Sequence, residues 1–299
     1  MRQTDITILK VAFCAALALS SFSESLILAQ SQGLPTQEWE DLENDQSRTE
    51  LAEYDVRTFG TISDKSVRRS FYFPDDAGDG LYGIDVSHHN GSINWSTVAK
   101  LGVKFAYLKA SQGTRYRDKT FVTNWAGAKA NGVARGAYHF LSAGVPGKDQ
   151  AQSFLAILKA SGGLDASDLV PVVDVEWDME TVNGVKVDRW AKYSAAEIVK
   201  VVQEWMQEVT RVTGRHPIIY TAASWWNPRV GANESLRAYA HWLADYRTSS
   251  IQRGKPASVN NHRFVVWQFT DAGRLSGGAQ TFDINHLRSG KLSDLVGQE

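Results

Sequence analysis

Val170-Pro171-Val172-Val173-Asp174-Val175-Glu176-Trp177 is a run of β-branched residues that closes on two carboxylates. Such a run reads as a strand over Val170–Val175. Alternate residues of a strand point the same way, so Asp174 and Glu176 share a face, with Cα atoms about 6.5 Å apart. The segment downstream decides the fold. Ser194 with Glu197 makes a capping box. Ile198, Val201, Val202, Trp205, Met206, Val209 and Val212 then recur at helical spacing, until Gly214 and Pro217 stop the helix. A second apolar run, Pro217–Thr221, comes next. Strand, helix, strand is a parallel βαβ unit.

The same alternation extends in both directions. Upstream strands are predicted at Tyr82–Val86, Lys104–Lys109 and Ala134–Phe140, with weaker helices at Asp118–Ala130 and Asp149–Ala160. Downstream strands are predicted at His241–Ala244, Phe264–Phe269 and Gln280–Ile284. Eight strands in about 210 residues imply an α/β barrel of the TIM-like kind. The later strands are separated by less helix, so the barrel is expected to be irregular on that side. No internal repeat argues for a solenoid or propeller.

A parallel barrel gathers the C-terminal ends of its strands on one rim, where such folds keep their sites. The residues at those ends are polar: Asp85, Lys109 followed by Ser111-Gln112-Gly113, Tyr138 and His139, Asp174 and Glu176, Tyr220, Trp242 and Asp245, Gln268, and Asp283. Two carboxyl groups facing each other cannot both ionise freely, which suits one to donate a proton while the other steadies positive charge. Glycoside hydrolysis needs that pairing, and closely spaced acids favour a retaining outcome. Each residue alone has a plainer reading: solvated acids at a strand end, a hydrogen-bonded histidine, a lysine paired with a carboxylate. The ten Trp and ten Tyr fit core packing, and sugar clefts also use flat aromatic faces.

With 299 residues, 43% hydrophobic and 22% charged, the composition is that of a globular protein. A formal net charge of −1 without a long Lys/Arg run gives no footprint for nucleic acid. Val11–Ser20 is a short apolar core behind Arg2 and Lys10, with small residues after it, and reads as an export signal over residues 1–29. It is too short and too soon interrupted by Glu24 for a membrane span. The one cysteine, Cys14, lies inside it with Phe13 before it, so neither lipidation nor a disulfide nor a thiol nucleophile is expected in a processed chain. Residues 30–79 lack strong periodicity and read as a flexible leader. Residues 80–292 form the barrel domain and 293–299 a C-terminal tail. A secreted or periplasmic monomer without cofactor, and without membrane insertion once the signal is removed, is the expectation.

Gly83-Ile84-Asp85-Val86-Ser87-His88-His89-Asn90-Gly91 and Phe105–Asp118 resemble the signature of glycoside hydrolase family 25, the Chalaropsis and bacteriophage type of lysozyme. Gly136–Phe140, Asp174-Val175-Glu176, Trp267-Gln268-Phe269 and Phe282–Asn285 resemble further elements of that family in its order, over about residues 81–290. The resemblance implies a (βα)5β3 barrel that cleaves the β-1,4 bond from N-acetylmuramic acid to N-acetylglucosamine in peptidoglycan glycan strands. It implies Glu176 as general acid/base and Asp174 as its partner. Asp85 and Asp283 would complete an acidic floor. Lys109, Tyr138, His139, Tyr220, Trp242 and Gln268 would meet the sugars. One departure is Gln112, where the family has Glu beside the lysine; it keeps size and hydrogen bonding but loses a charge.

Two other readings compete. A metal-dependent deacetylase or amidase could draw ligands from His88, His89, His139 and His286, although none shows H-x-x-x-H spacing. A wall-binding module without catalysis would not need both Asp174 and Glu176.

Overall fold

A computed structural model describes residues 72–73, 80–247, 254–259, 264–275 and 280–297. The expected signal and all of the leader except Tyr72–Phe73 lie outside them. Among the described residues, no helix is long and apolar enough to cross a membrane.

Eight strands close the barrel: β1 Tyr82–Val86, β2 Phe105–Gln112, β3 Ala134–Phe140, β4 Val172–Asp174, β5 Ile218–Ala222, β6 His241–Ala244, β7 Phe264–Leu275 and β8 Thr281–Leu287. Neighbours from β1 to β7 pair in parallel. β8 runs antiparallel to both β7 and β1 and seals the ring. Each of the first five strands is followed by a helix: α1 Trp95–Lys100, α2 Phe121–Ala130, α3 Gly147–Ala160, α4 Ala195–Thr213 and α5 Ala223–Arg229. The (βα)5β3 plan and its irregular side are therefore present, with the antiparallel β8 as a further irregularity.

Period-two alternation sorts the strand residues into two cores. Residues such as Ile84, Leu108, Ala137, Val173, Ile219 and Leu243 face outward and pack with Phe154, Trp205, Met206 and Trp225 from the helices. Phe105, Tyr107, Tyr138, Val172, Ile218, Tyr220, Trp242, Val266 and Leu287 fill the barrel interior. Glycines make room for the large interior rings. A Cβ at Gly83 would lie 2.5 Å from the Phe105 ring, and one at Gly136 would lie 2.3 Å from that of Tyr107.

α4 matches its expectation at both ends. Ser194 Oγ accepts from the Glu197 N–H, Glu197 accepts from the Ser194 N–H at 2.8 Å, and Gly214 closes the helix at φ 70°. Several features differ from expectation. β4 stops at Asp174, so Glu176 lies in a bend beyond the strand. A hairpin, Met179–Val182 with Val185–Asp188, comes after that bend. β7 runs seven residues past Gln268, its last residue paired with β6, and carries Tyr72–Phe73 in parallel against Arg274–Leu275. The leader thus contributes a short strand on the rim side. The described part of the expected tail is folded. Leu292–Leu295 is a 3-10 turn, Leu295 is buried, and Val296 bridges Leu169 ahead of β4.

Candidate active site

The site is built on the rim from the ends of the barrel strands. Asp85 of β1 and Asp283 of β8 are direct cross-strand partners, so two acids stand side by side without being near in sequence. Asp174 ends β4, and Glu176 lies just beyond it in the bend. Asp85, Asp174 and Glu176 are 2%, 1% and 8% exposed, so these carboxyls sit in a medium that resists charge. Asp174 lines a small recess with Tyr138, Val172, Tyr220 and Trp242. The Tyr220 and Trp242 rings meet edge-on at 4.8 Å. The indole N–H of Trp242 is buried there without a partner among the described residues.

A hydrogen-bonded chain braces Asp85. Gln268 Nε2 donates to Asp85 Oδ2 at 2.7 Å, and Asn285 Nδ2 donates to the same oxygen at 2.9 Å. The side-chain carbonyl of Gln268 accepts from Tyr220 at 2.7 Å and from Tyr246 at 2.5 Å. Burial, first, and then the charges of Asp283, Asp271, Asp85 and Glu176 push the Tyr246 phenol well above the usual tyrosine range. Acids from β1, β7, β8 and the bend after β4 thus all act on Tyr246.

Lys109 is buried and donates to Gln112 Oε1 at 3.1 Å. Its Nζ stands 5.1 Å from the Phe140 ring and 5.5 Å from the Tyr116 ring. A bulge between Lys109 and Ser111 shifts the β2–β3 register there. Nearby, His88 is held by Asp118 and Tyr116. Its Nδ1 lies 2.9 Å from Asp118 Oδ2 and 2.7 Å from the tyrosine hydroxyl, and its ring packs on His89 at 3.9 Å. Burial would raise the Asp118 carboxyl, but hydrogen bonds from His88 and Thr120 outweigh it and the group is lowered.

The loop bearing Glu176 is clamped from below. Asp178 accepts the Ala143 N–H at 2.7 Å and pairs with Arg189 at 3.1 Å. Burial pushes its carboxyl up to about 6 against both of those contacts. Asp188, at the far end of the hairpin, accepts from the Asp178 N–H and pairs with Arg229 at 2.6 Å. The hairpin and the Glu176 loop are therefore one anchored unit.

Two of the residues expected to meet the sugars are held inside the fold. His139 follows Tyr138 on the strand and so must face the other way. It is fully buried between β3 and the helices, 2.8 Å from Ser111 Oγ and 3.2 Å from Gln150 Oε1, with its ring stacked on Trp205 at 5.8 Å. Burial holds its pKa down to about 3, so it is a neutral core residue. Gln268 is also fully buried, with its amide committed to Asp85 and two tyrosines rather than offered to the cleft. Of the other histidines, His286 packs on Tyr82 at 5.0 Å, away from the His88–His89 pair. Among the described residues, no three His, Cys, Asp or Glu side chains form a group able to hold a metal ion. Asp245, on the expected rim, turns to Arg247 and the Ala257 N–H instead.

Two residues of the site escape the sequence reading, although strand alternation reaches them. Asn285 lies two after Asp283, and Tyr246 two after Ala244. Tyr246 continues the inward face of β6 past the strand end, and Asn285 lies one inward step below Asp283, opposite Gly83.

Comparison with known proteins places this geometry among relatives. The profile of Glycosyl hydrolases family 25 matches residues 84–278. Lysozyme M1 of Streptomyces globisporus is 31% identical over 209 residues, which is 69% of this chain and 67% of that protein. The N,O-diacetylmuramidase of a Chalaropsis species is 30% identical over 210 residues, 68% of this chain and 93% of the other. The crystal structure of a lysozyme from Streptomyces coelicolor superposes with a TM-score of 0.63 at 32% identity, covering 73% of this chain and 95% of that one.

Proposed function

Because the chain belongs to glycosyl hydrolase family 25 and is a glycoside hydrolase, we propose that it cleaves the β-1,4 bond from N-acetylmuramic acid to N-acetylglucosamine in peptidoglycan, with Glu176 as the general acid/base. The observation that carries this reading is the convergence of acids from separate strands, with Asp85 and Asp283 as cross-strand partners and Glu176 among the charges that act with them on Tyr246. As general acid, Glu176, buried at the rim, would hand its proton to the leaving oxygen and then serve as the base toward water. Asp174, two residues away on the β4 end, stabilises the oxocarbenium-like centre or orients the acetamido group of the sugar. Tyr138, Tyr220 and Trp242 wall the recess beside it, and the Trp242 N–H is a donor for a substrate oxygen. Lys109 supplies positive charge at the rim. Residues 1–29 export the chain, so that it meets the wall as a secreted or periplasmic monomer.

Mass spectrometry of fragments released from purified peptidoglycan tests the bond assignment. Products with N-acetylmuramic acid at the reducing end are expected; reducing-end N-acetylglucosamine or free peptides alone would refute it. Amino-terminal sequencing of the exported protein tests the signal, with cleavage expected between Ser23 and Ala29.

A further inference from the structure

We propose that Tyr246 is a positioning residue of this reaction: together with Tyr220 it locks the Gln268 amide, and the locked amide holds Asp85. The inference rests on the muramidase reading. A side-chain amide has one acceptor end and one donor end, and a half-turn exchanges them. At Gln268 both hydroxyls fall on the acceptor end, at 2.7 Å from Tyr220 and 2.5 Å from Tyr246. The donor end faces Asp85 Oδ2 at 2.7 Å. Turned over, the amide would set its carbonyl against that carboxylate and its N–H group against the two phenols. The carboxylate thus fixes which way the amide points, and the two phenols make that orientation stiff.

The phenols are not equivalent. Tyr220 is buried inside the barrel and packs on Trp242. Tyr246 lies two residues beyond β6, with part of the residue at the surface and its hydroxyl buried. Burial of the hydroxyl above all, and then the charges of Asp283, Asp271, Asp85 and Glu176, keep it protonated, so it remains a donor. Gln268, Asn285 and Tyr220 are buried, which leaves Tyr246 as the least buried member of the Asp85 brace.

The test compares Tyr246→Phe, Tyr220→Phe and the double variant. One hydroxyl lost should lower kcat about 3- to 10-fold, the range for a single hydrogen bond, with KM within about twofold. The double variant frees the amide, so its loss should exceed the product of the two singles. It should also move the acid limb of the kcat/KM profile to higher pH, because Asp85 loses a donor to its charged form. A merely structural tyrosine would lower the melting temperature and leave that limb in place. Nitrogen-15 NMR of the Gln268 side-chain amide reads the lock without any turnover. Protected protons are expected in the parent protein and averaged, fast-exchanging ones in the double variant. If the double variant will not fold, Gln268→Met removes the same donor and should produce the same shift of the acid limb. Strict multiplicativity with an unmoved limb, or an amide equally protected in the double variant, overturns the proposal. A parent protein that releases no reducing-end muramic acid overturns the muramidase reading instead, and the NMR result still decides the brace.

Discussion

Glu176→Gln keeps volume and hydrogen-bonding capacity but has no proton to deliver. Turnover on a defined glycan should fall by about 10²- to 10⁴-fold, in kcat more than in KM, with the melting temperature preserved. Near-normal kcat would move the acid to Asp85 or Asp283. A second residue-scale expectation concerns acid stability. His139 has a folded pKa of about 3 against an ordinary 6.5. A depressed value means that the unfolded chain binds the extra proton, so this contribution is full above about 6.5 and is lost as pH falls toward 3. Asp178, raised from 3.8 to about 6, acts the other way: its contribution is full below about 3.8 and is lost as pH rises through 6. Between about 4 and 6 the two slopes oppose each other and nearly cancel. His139→Gln removes one of them. Urea midpoints of the parent should therefore gain on those of the variant as pH rises across that range, and a constant gap would show that the histidine is not buried neutral. The same residue shows what a sequence can and cannot give. Strand-end position brings Tyr138 and His139 equally to the rim, but alternation allows only one to face inward, and the identity of that one depends on the whole register of the barrel.

Elements are more legible than their ends. Strands β1, β3 and β6 begin and end where alternation places them, and the capping box with its terminal glycine fixes α4 at both termini. Replacing Ser194 by Ala should cost about 1 kcal/mol, read by thermal unfolding. The short elements are hidden for physical reasons. α1 has six residues and buries only Trp95 and Val98. α5 contains Pro228, which a sequence reading takes as a breaker. The hairpin is different, because its signature is plain: Asn183 and Gly184 both adopt positive φ, 52° and 78°, between alternating valines. That is the strongest short hairpin signal, and a strand count that looks only for buried parallel runs leaves it out. Helix packing yields a further expectation. α3 begins against α4 so closely that a Cβ on Gly147 would stand 1.9 Å from the Val201 carbonyl oxygen. Gly147→Ala should therefore destabilise by about 1–3 kcal/mol, measured by chemical denaturation, and a neutral result would mean that α3 can shift as a body.

At the scale of the molecule, the fold class is readable because βαβ alternation recurs along the chain, while the antiparallel closure by β8 is not, since nothing local sets the direction of a strand. The brace on Asp85 is beyond sequence for the same reason: Gln268 and Asn285 are 183 and 200 residues away from it along the chain. The direction in which the chain enters and leaves the barrel has its own consequence. Tyr72–Phe73 joins the overhang of β7, on the side of the acids, whereas Val296 closes against Leu169 at the opposite pole. The two attachment points are therefore inequivalent handles. Cargo fused just ahead of Tyr72 stands at the doorway through which a wall-bound polymer must pass; cargo fused after Val296 hangs behind the barrel. Fusing a folded domain at the first position should slow digestion of intact wall much more than that of short soluble glycans, and at the second should slow neither. Immobilised on a bead by its C-terminal end, the protein would present its open mouth outward.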